Sequence, residues 1–243
     1  MKELSKRLEK LIKAIRESKT ARTKNGCFIV EGVRSVEEVI NSDFEVRFVI
    51  LSDSFFDSNK AFLEMLKKKV NEDRLYIVSD KTFFELTDTV TPQGILGVVN
   101  FKDTKIDEVI KDNFLFVALD KIQDPGNMGT IIRTADAASA DGIVVGKGCV
   151  DIYNPKVVRS AMGSLFHIPI IQSEDLRETL LKLKRKGGQV VTTHLSAKKD
   201  YYSVDYKTST VIVMGSEAEG VSEDIAEISD ELIKISMPGK AES

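Results

Sequence analysis

From residue 114 onward the chain repeats one pattern. Short apolar, β-branched runs, FLFVALD (114–120), GIVVG (142–146), HIPII (167–171), QVVTTHL (189–195), TVIVMG (210–215) and ELIKIS (231–236), alternate with helical stretches near 128–140, 155–161, 173–187 and 222–229. Apolar runs without polar alternation suit strands covered on both faces, and strands alternating with helices are joined by crossovers. The pattern predicts an α/β domain: a mostly parallel sheet flanked by helices on both faces.

A second, smaller α/β unit precedes it. CFIVEG (27–32), EVRFVIL (45–51), RLYIV (74–78) and GILGVVN (94–100) read as strands, with helices near 33–41, 57–70 and 80–87. The charged stretch FKDTKIDEVIKDN (101–113) reads as a linker, which divides the chain into 1–100, 101–113 and 114–243. A chain of 243 residues, 42% of them hydrophobic, is long enough for two cores. Its two cysteines, Cys27 and Cys149, make neither a disulfide framework nor a Cys-rich zinc site, and Cys149 reads as a packing residue. His167 and His194, the only histidines, are too few to suggest a metal site, and His167 reads as structural. No apolar run approaches the roughly 20 residues that span a bilayer, and the N-terminus is charged and amphipathic. A reduced, cytoplasmic setting is expected, with no membrane partner and no metal.

Parallel sheets bind ligands beyond the carboxyl ends of their strands, so the turns there carry the functional information. After Leu119 comes DPGNMGTIIRTADAASADG (124–142), which has neither G-x-G-x-x-G nor a Walker sequence and is a poor phosphate cradle. Asn127 is placed to cap the following helix. Arg133, set among Ile131, Ile132, Ala135, Ala137 and Ala138, looks buried and would then need an acceptor. GSEAEGVS (215–222) and ISMPGKAES (235–243) put small residues, carboxylates and a Pro-Gly turn at two more strand ends.

Net charge is −3, but residues 1–26 hold nine Lys or Arg against three Glu. Leu4, Leu8, Leu11, Ile12 and Ile15 recur at helical spacing, so one face can dock while Lys6, Arg7, Lys10, Lys13, Arg22 and Lys24 point outward. That face is either merely solvated or an RNA-binding arm that tracks phosphates.

LDKIQDPGNMGTIIRTA (119–135), NPKVVRSAMGSLFHIPI (154–170), VIVMGSEAEGVS (211–222) and ISMPGKAES (235–243), in this order, resemble the SpoU, or TrmH-type, branch of the SPOUT RNA methyltransferases. FIVEGVRSVEEVI (28–40) and TPQGILGVV (91–99) resemble that family's substrate-binding domain. The resemblance implies a trefoil knot, S-adenosylmethionine as cofactor, a homodimer, and methyl transfer to a ribose 2′-hydroxyl of RNA, with ribosomal RNA favoured over tRNA. It casts Asn127, Arg133, Glu217 and Ser243 as the catalytic set, Glu217 orienting Arg133 or a ligand. A guanidinium stays protonated, so Arg133 suits a phosphate or a developing alkoxide better than the role of base. Gly215, Ile235 and Met237, with Thr193 and Leu195, are the implied cofactor contacts. Asn154, Arg159, Ser160, Ala161 and Gly163 are implied to shape the dimer interface and the site floor. Ser243 matches the first residue of a S-L-N motif whose Leu and Asn do not follow in this sequence. A weaker cofactor site and impaired dimerisation are therefore expected. Two readings from other classes stay open on the residues alone: a non-catalytic RNA-binding protein, and a dinucleotide-dependent oxidoreductase, against which the missing G-x-G-x-x-G argues.

Overall fold

The computed structural model describes residues 2–206, 208–237 and 239, and these form two compact units. One contains the residues up to Lys102 together with Asp151–His167; the other contains Asp103–Val150 and the residues from Ile168 onward.

In the first unit, β1 (Lys2–Glu3), β2 (Cys27–Glu31), β3 (Val46–Ser52), β4 (Leu75–Val78) and β5 (Ile95–Asn100) make one mixed sheet in the order β1-β4-β3-β5-β2. Helix α1 (Lys6–Glu17) starts where the Ser5 side chain accepts the Leu8 N–H, and α2 (Lys19–Asn25) where Ser18 does the same for Ala21. The apolar face of α1 then docks as its spacing predicts: Ile12 and Ile15 pack with Ile29, Phe48, Ile50, Leu96 and Val98 of the sheet. Phe83 and Leu86 of α6 (Asp80–Leu86) join them. Helix α3 (Val33–Asn41) lies where expected, but the helix expected near 57–70 is two, α4 (Asp53–Ser58) and α5 (Lys60–Lys69). Asn59 separates them with a non-helical backbone (φ −116°, ψ 47°), and its side-chain amide donates back to the Phe55 carbonyl.

The second unit begins with α7 (Ile106–Val109) and continues through β6 (Leu115–Asp120), α8 (Pro125–Ala137) and β7 (Gly142–Val145). After α9 (Pro155–Ser160), which belongs to the first unit, come β8 (Ile170–Gln172), α10 (Leu176–Arg185), β9 (Gln189–Thr193), β10 (Lys199–Asp200), β11 (Thr210–Gly215), α11 (Glu223–Ala226) and β12 (Glu231–Lys234). Seven strands form one sheet, ordered β10-β12-β9-β11-β6-β7-β8, and every pairing is parallel. Phe116, Ala118, Val144, Val190, Val211 and Val213 face Leu180 and Leu183 of α10 and Ile225 of α11 across the core. Strand alternation turns Leu115, Val117, Ile212 and Met214 to the other face, where they are only half-buried.

Two segments differ from their sequence reading. Ile106 of α7 is buried in the second unit's core with Val109 and Ile110 against it, so the charged stretch read as a linker contains an anchored helical turn. Residues 151–167, read with the second domain, are built into the first unit: Tyr153 lies 4.4 Å from the ring of Phe28 and 4.2 Å from that of Phe101. The Tyr153 hydroxyl donates to the Lys102 carbonyl at 3.2 Å. The run HIPII yields a strand only from Ile170, because Ser164–Phe166 closes a 3₁₀ turn just before it.

Candidate active site

Parallel pairing brings the carboxyl ends of β6, β11, β9 and β12 to one edge in that lateral order. The chain leaves β6 through Lys121, whose φ of 55° is left-handed and unusual for a residue with a side chain. Helix α8 then starts with Pro125 at its first turn, and the Asp124 side chain accepts the Asn127 N–H at 2.8 Å. Asp124, not Asn127, is therefore the cap, since proline sets the helix start earlier than the sequence reading put it. Freed from capping, the Asn127 side-chain amide donates to Oε1 of Glu217, on the loop after β11.

That loop is shaped by a close backbone approach. Ser216 and Gly220 pair as an isolated bridge, folding the turn back over Gly215. A Cβ on Gly215 would sit 2.1 Å from the Gly220 carbonyl carbon and 2.3 Å from the Val221 nitrogen. The protein's own loop thus demands glycine here, independently of any ligand. Lys121, Asp124, Asn127, Ser216, Glu217 and Glu219 line a cleft of about 190 Å³ between the two loops.

Arg133 is exposed, which corrects its reading as buried. Helix α8 buries Met128, Ile132 and Ala135, one stripe at helical spacing, and this turns position 133 to solvent. Glu217 is engaged by Asn127, and no ion pair joins it to Arg133 among the described residues. At the neighbouring strand ends, Leu195 is 79% exposed, Ile235 54% and Met237 51%. Thr193 donates its hydroxyl to the Val213 carbonyl at 3.1 Å and so ties β9 to β11. Three large apolar side chains left in water at adjacent strand ends fit the implied cofactor, whose adenine would cover them. Ser243 lies outside the described residues.

Sequence reading missed Asp120 and Ser222. Asp120 ends β6 almost fully buried, and one of its oxygens accepts both the backbone N–H and the hydroxyl of Ser222. A lone Asp closing an apolar run was the available signal, though it looks like any strand end. Cys149 is half-buried, its thiol pushed up by burial, as a packing residue requires.

The basic residues of the N-terminal stretch divide. Lys6, Arg7, Lys10 and Lys24 are exposed, while Lys13 is half-buried and pairs with Glu85 at 3.3 Å. Arg22 is a correction: it is only 3% exposed, its guanidinium meets the Asp151 carboxylate at 2.7 Å, and it donates to the Ile15 carbonyl at 2.8 Å. A side chain so enclosed cannot reach a phosphate. His167 pairs with Glu38 at 3.0 Å, Arg159 with Asp88 at 3.5 Å, and Asn154 caps α9, all within the first unit.

An all-parallel sheet with an amide–carboxylate pair and exposed apolar side chains at its carboxyl edge, following a separate mixed-sheet unit, defines a two-unit α/β protein with a candidate site at the strand ends. Residues 114–243 match the SpoU rRNA Methylase family and residues 9–97 the MRM3-like substrate binding domain. The chain belongs to the SpoU rRNA methylase family. It is 33% identical over 231 residues to the 23S rRNA (guanosine(2553)-2′-O)-methyltransferase RlmP of Bacillus subtilis, a match covering 93% of this chain and 86% of that protein. The AdoMet-bound rRNA methyltransferase of Sinorhizobium meliloti matches it with a TM-score of 0.86 at 29% identity, over 100% of this chain and 90% of that one. For the SpoU methyltransferase AviRb of Streptomyces viridochromogenes in complex with AdoMet the TM-score is 0.85 at 26% identity, over 98% and 92% of the two chains.

Proposed function

We propose that this chain transfers the methyl group of S-adenosylmethionine to a ribose 2′-hydroxyl of ribosomal RNA. The observation that carries the reading is the Asn127–Glu217 pair at the mouth of a cleft, on the same sheet edge as the exposed Leu195, Ile235 and Met237. The cofactor supplies a methyl already activated as part of a sulfonium; the protein must orient the hydroxyl, assist loss of its proton and keep water out. Asn127 holds the Glu217 carboxylate in one orientation at the cleft, where it can accept a hydrogen bond from a ribose hydroxyl. Arg133 is exposed and can meet a phosphate or stabilise a developing alkoxide.

Ribosomal RNA is favoured over tRNA because RlmP is named for 23S rRNA and the Sinorhizobium protein for rRNA. Lys6, Arg7, Lys10 and Lys24, exposed and without an ion pair among the described residues, supply phosphate contacts that carry no sequence choice. A homodimer, a trefoil knot and a cytoplasmic setting belong to the same proposal. The first two rest on the family resemblance, the third on two free thiols and on the lack of any helix, among the described residues, long and apolar enough to cross a membrane. The test is to incubate the protein with methyl-labelled cofactor and ribosomal RNA and to map the product. Label at a single ribose 2′-oxygen is expected; label on a base, or none with any RNA, overturns the proposal.

A further inference from the structure

Asp120 is 6% exposed, and a carboxylate so enclosed is costly unless hydrogen bonds replace its water. Its Oδ2 accepts the Ser222 backbone N–H at 2.8 Å and the Ser222 hydroxyl at 2.6 Å. Ser222 is the residue through which the loop after β11 enters α11. The other end of that loop is Gly215, and in the β11–β6 ladder the residue opposite Gly215 is again Asp120. One residue therefore fixes both ends of the loop that carries Glu217: its backbone position at the start, its side chain at the finish. Asp120 and Asn127 also belong to one continuous segment, from the end of β6 into α8. A closed ring of interactions results, with Asp120 on Ser222 at the buried side and Asn127 on Glu217 at the cleft.

We infer that Asp120 is a positioning residue for methyl transfer, setting the 216–221 loop so that Glu217 meets Asn127 at the mouth of the cleft. Asp120 does not line that cleft and acts only through Ser222 and the loop. The inference rests on the proposed function, yet it makes a claim about loop order that holds or fails without it. A carboxylate is suited to the task because hydrogen bonds to an ionised acceptor are short and strong. Both bonds fall on one oxygen, so an asparagine can present its amide oxygen at the same place.

The test compares Asp120→Ala, Asp120→Asn and Ser222→Ala by single-turnover methyl transfer, KM for the RNA, and hydrogen exchange of the amides in 216–222 against those of β6 and β11. Asp120→Ala is expected to lower the single-turnover rate about 10²-fold, the scale set by misplacing a group by an ångström. KM should change little, and exchange should quicken only in the loop. Asp120→Asn should recover most of the rate, and Ser222→Ala, which keeps the backbone bond, should fall between. Should Asp120→Ala fail to fold, the other two variants decide, because a Ser222→Ala enzyme with wild-type rate and wild-type loop protection overturns the inference. Equal slowing in Asp120→Ala and Asp120→Asn overturns it too, since orientation would then not be what matters. If the wild-type protein methylates no RNA, the proposed function fails alone; the exchange comparison still sustains Asp120 as the loop's anchor if protection is lost, and rejects it if protection stays.

Discussion

The Asn127 side-chain amide, at the start of α8, donates to the Glu217 carboxylate in the loop after β11, joining two segments 90 residues apart. Because that pair stands at the cleft rather than in the core, its worth should appear in turnover more than in folding. Asn127→Ala and Glu217→Ala are expected to slow single-turnover transfer by about 10²–10³, the usual effect of removing one oriented polar group. Calorimetric affinity for S-adenosylmethionine should change little, since neither residue lies among the apolar side chains assigned to the cofactor. Equal losses in rate and in cofactor affinity would move both residues into the cofactor site.

Arg133 presents the same separation in sharper form. It is exposed on α8 and makes no ion pair among the described residues, so Arg133→Ala should leave the melting temperature unchanged, as surface substitutions usually do. Its transfer rate should fall by about two orders of magnitude or more. Lysine at this position should recover only part of the loss, because a point charge does not reproduce the guanidinium's planar fork. A variant with normal single-turnover rates would remove Arg133 from the chemistry.

Six of the seven strands described from 114 onward were legible because each is an apolar run, and a parallel sheet covered by helices needs that pattern wherever it sits in the chain; the edge strand β10, the charged pair Lys199–Asp200, carries no such signal and was missed. Arg133 was misread although its exposure was also legible: Met128, Ile132 and Ala135 already define the buried stripe of α8. Other features were not legible locally. Lys10 and Arg22 look alike in sequence, and what separates them is Asp151, 129 residues away. The attachment of 151–167 to the first unit depends likewise on Tyr153 finding Phe28 and Phe101. Gly215 was read as a cofactor contact, and nothing local showed that the loop itself requires glycine there, because the return of Gly220 over it is a property of the folded loop.

Gly215 supports a prediction of its own. With the Gly220 carbonyl carbon 2.1 Å from an added Cβ, Gly215→Ala cannot be absorbed by turning a side chain; backbone must move. A loss of about 1–3 kcal/mol in unfolding free energy is expected, the range for overpacked sites. The displaced loop carries Glu217, so methyl transfer should fall as well. Denaturant titration together with a single-turnover assay checks both, and an alanine variant of normal stability would show that the loop is not closed over Gly215 in solution.

Asp141 gives a pH dependence. Burial raises its pKa, but the hydrogen bond from Lys111, the Leu115 N–H and the Lys111 charge outweigh burial and hold it below the ordinary carboxylate value. A carboxyl whose pKa is lower in the folded state contributes stability above its unfolded value, about 4, and that contribution is lost as pH falls through the folded value. The stability difference between wild type and Asp141→Asn should therefore be constant near neutrality and shrink below about pH 4. A difference that grows on acidification would reverse the assigned sign.

The two kinds of basic residue in the N-terminal helices should separate in two different assays. Arg22 is enclosed with Asp151, and removing one member of a buried pair leaves the other charge uncompensated, so Arg22→Ala should cost about 3–5 kcal/mol of stability. At temperatures where that variant stays folded, its RNA affinity should depend on salt as the wild type's does. Replacing Lys6, Arg7 and Lys10 together by alanine should do the opposite. These three are exposed, so unfolding free energy should stay nearly constant, while the slope of log affinity against log salt should flatten by about 0.7–0.9 for each phosphate no longer neutralised. Because α1 docks through Ile12 and Ile15 on its other face, the triple substitution leaves the helix in place and tests charge alone. An unchanged slope in the triple variant would make the stripe a solvated helix face, and a flattened slope in folded Arg22→Ala would mean that the Asp151 pair opens when RNA binds.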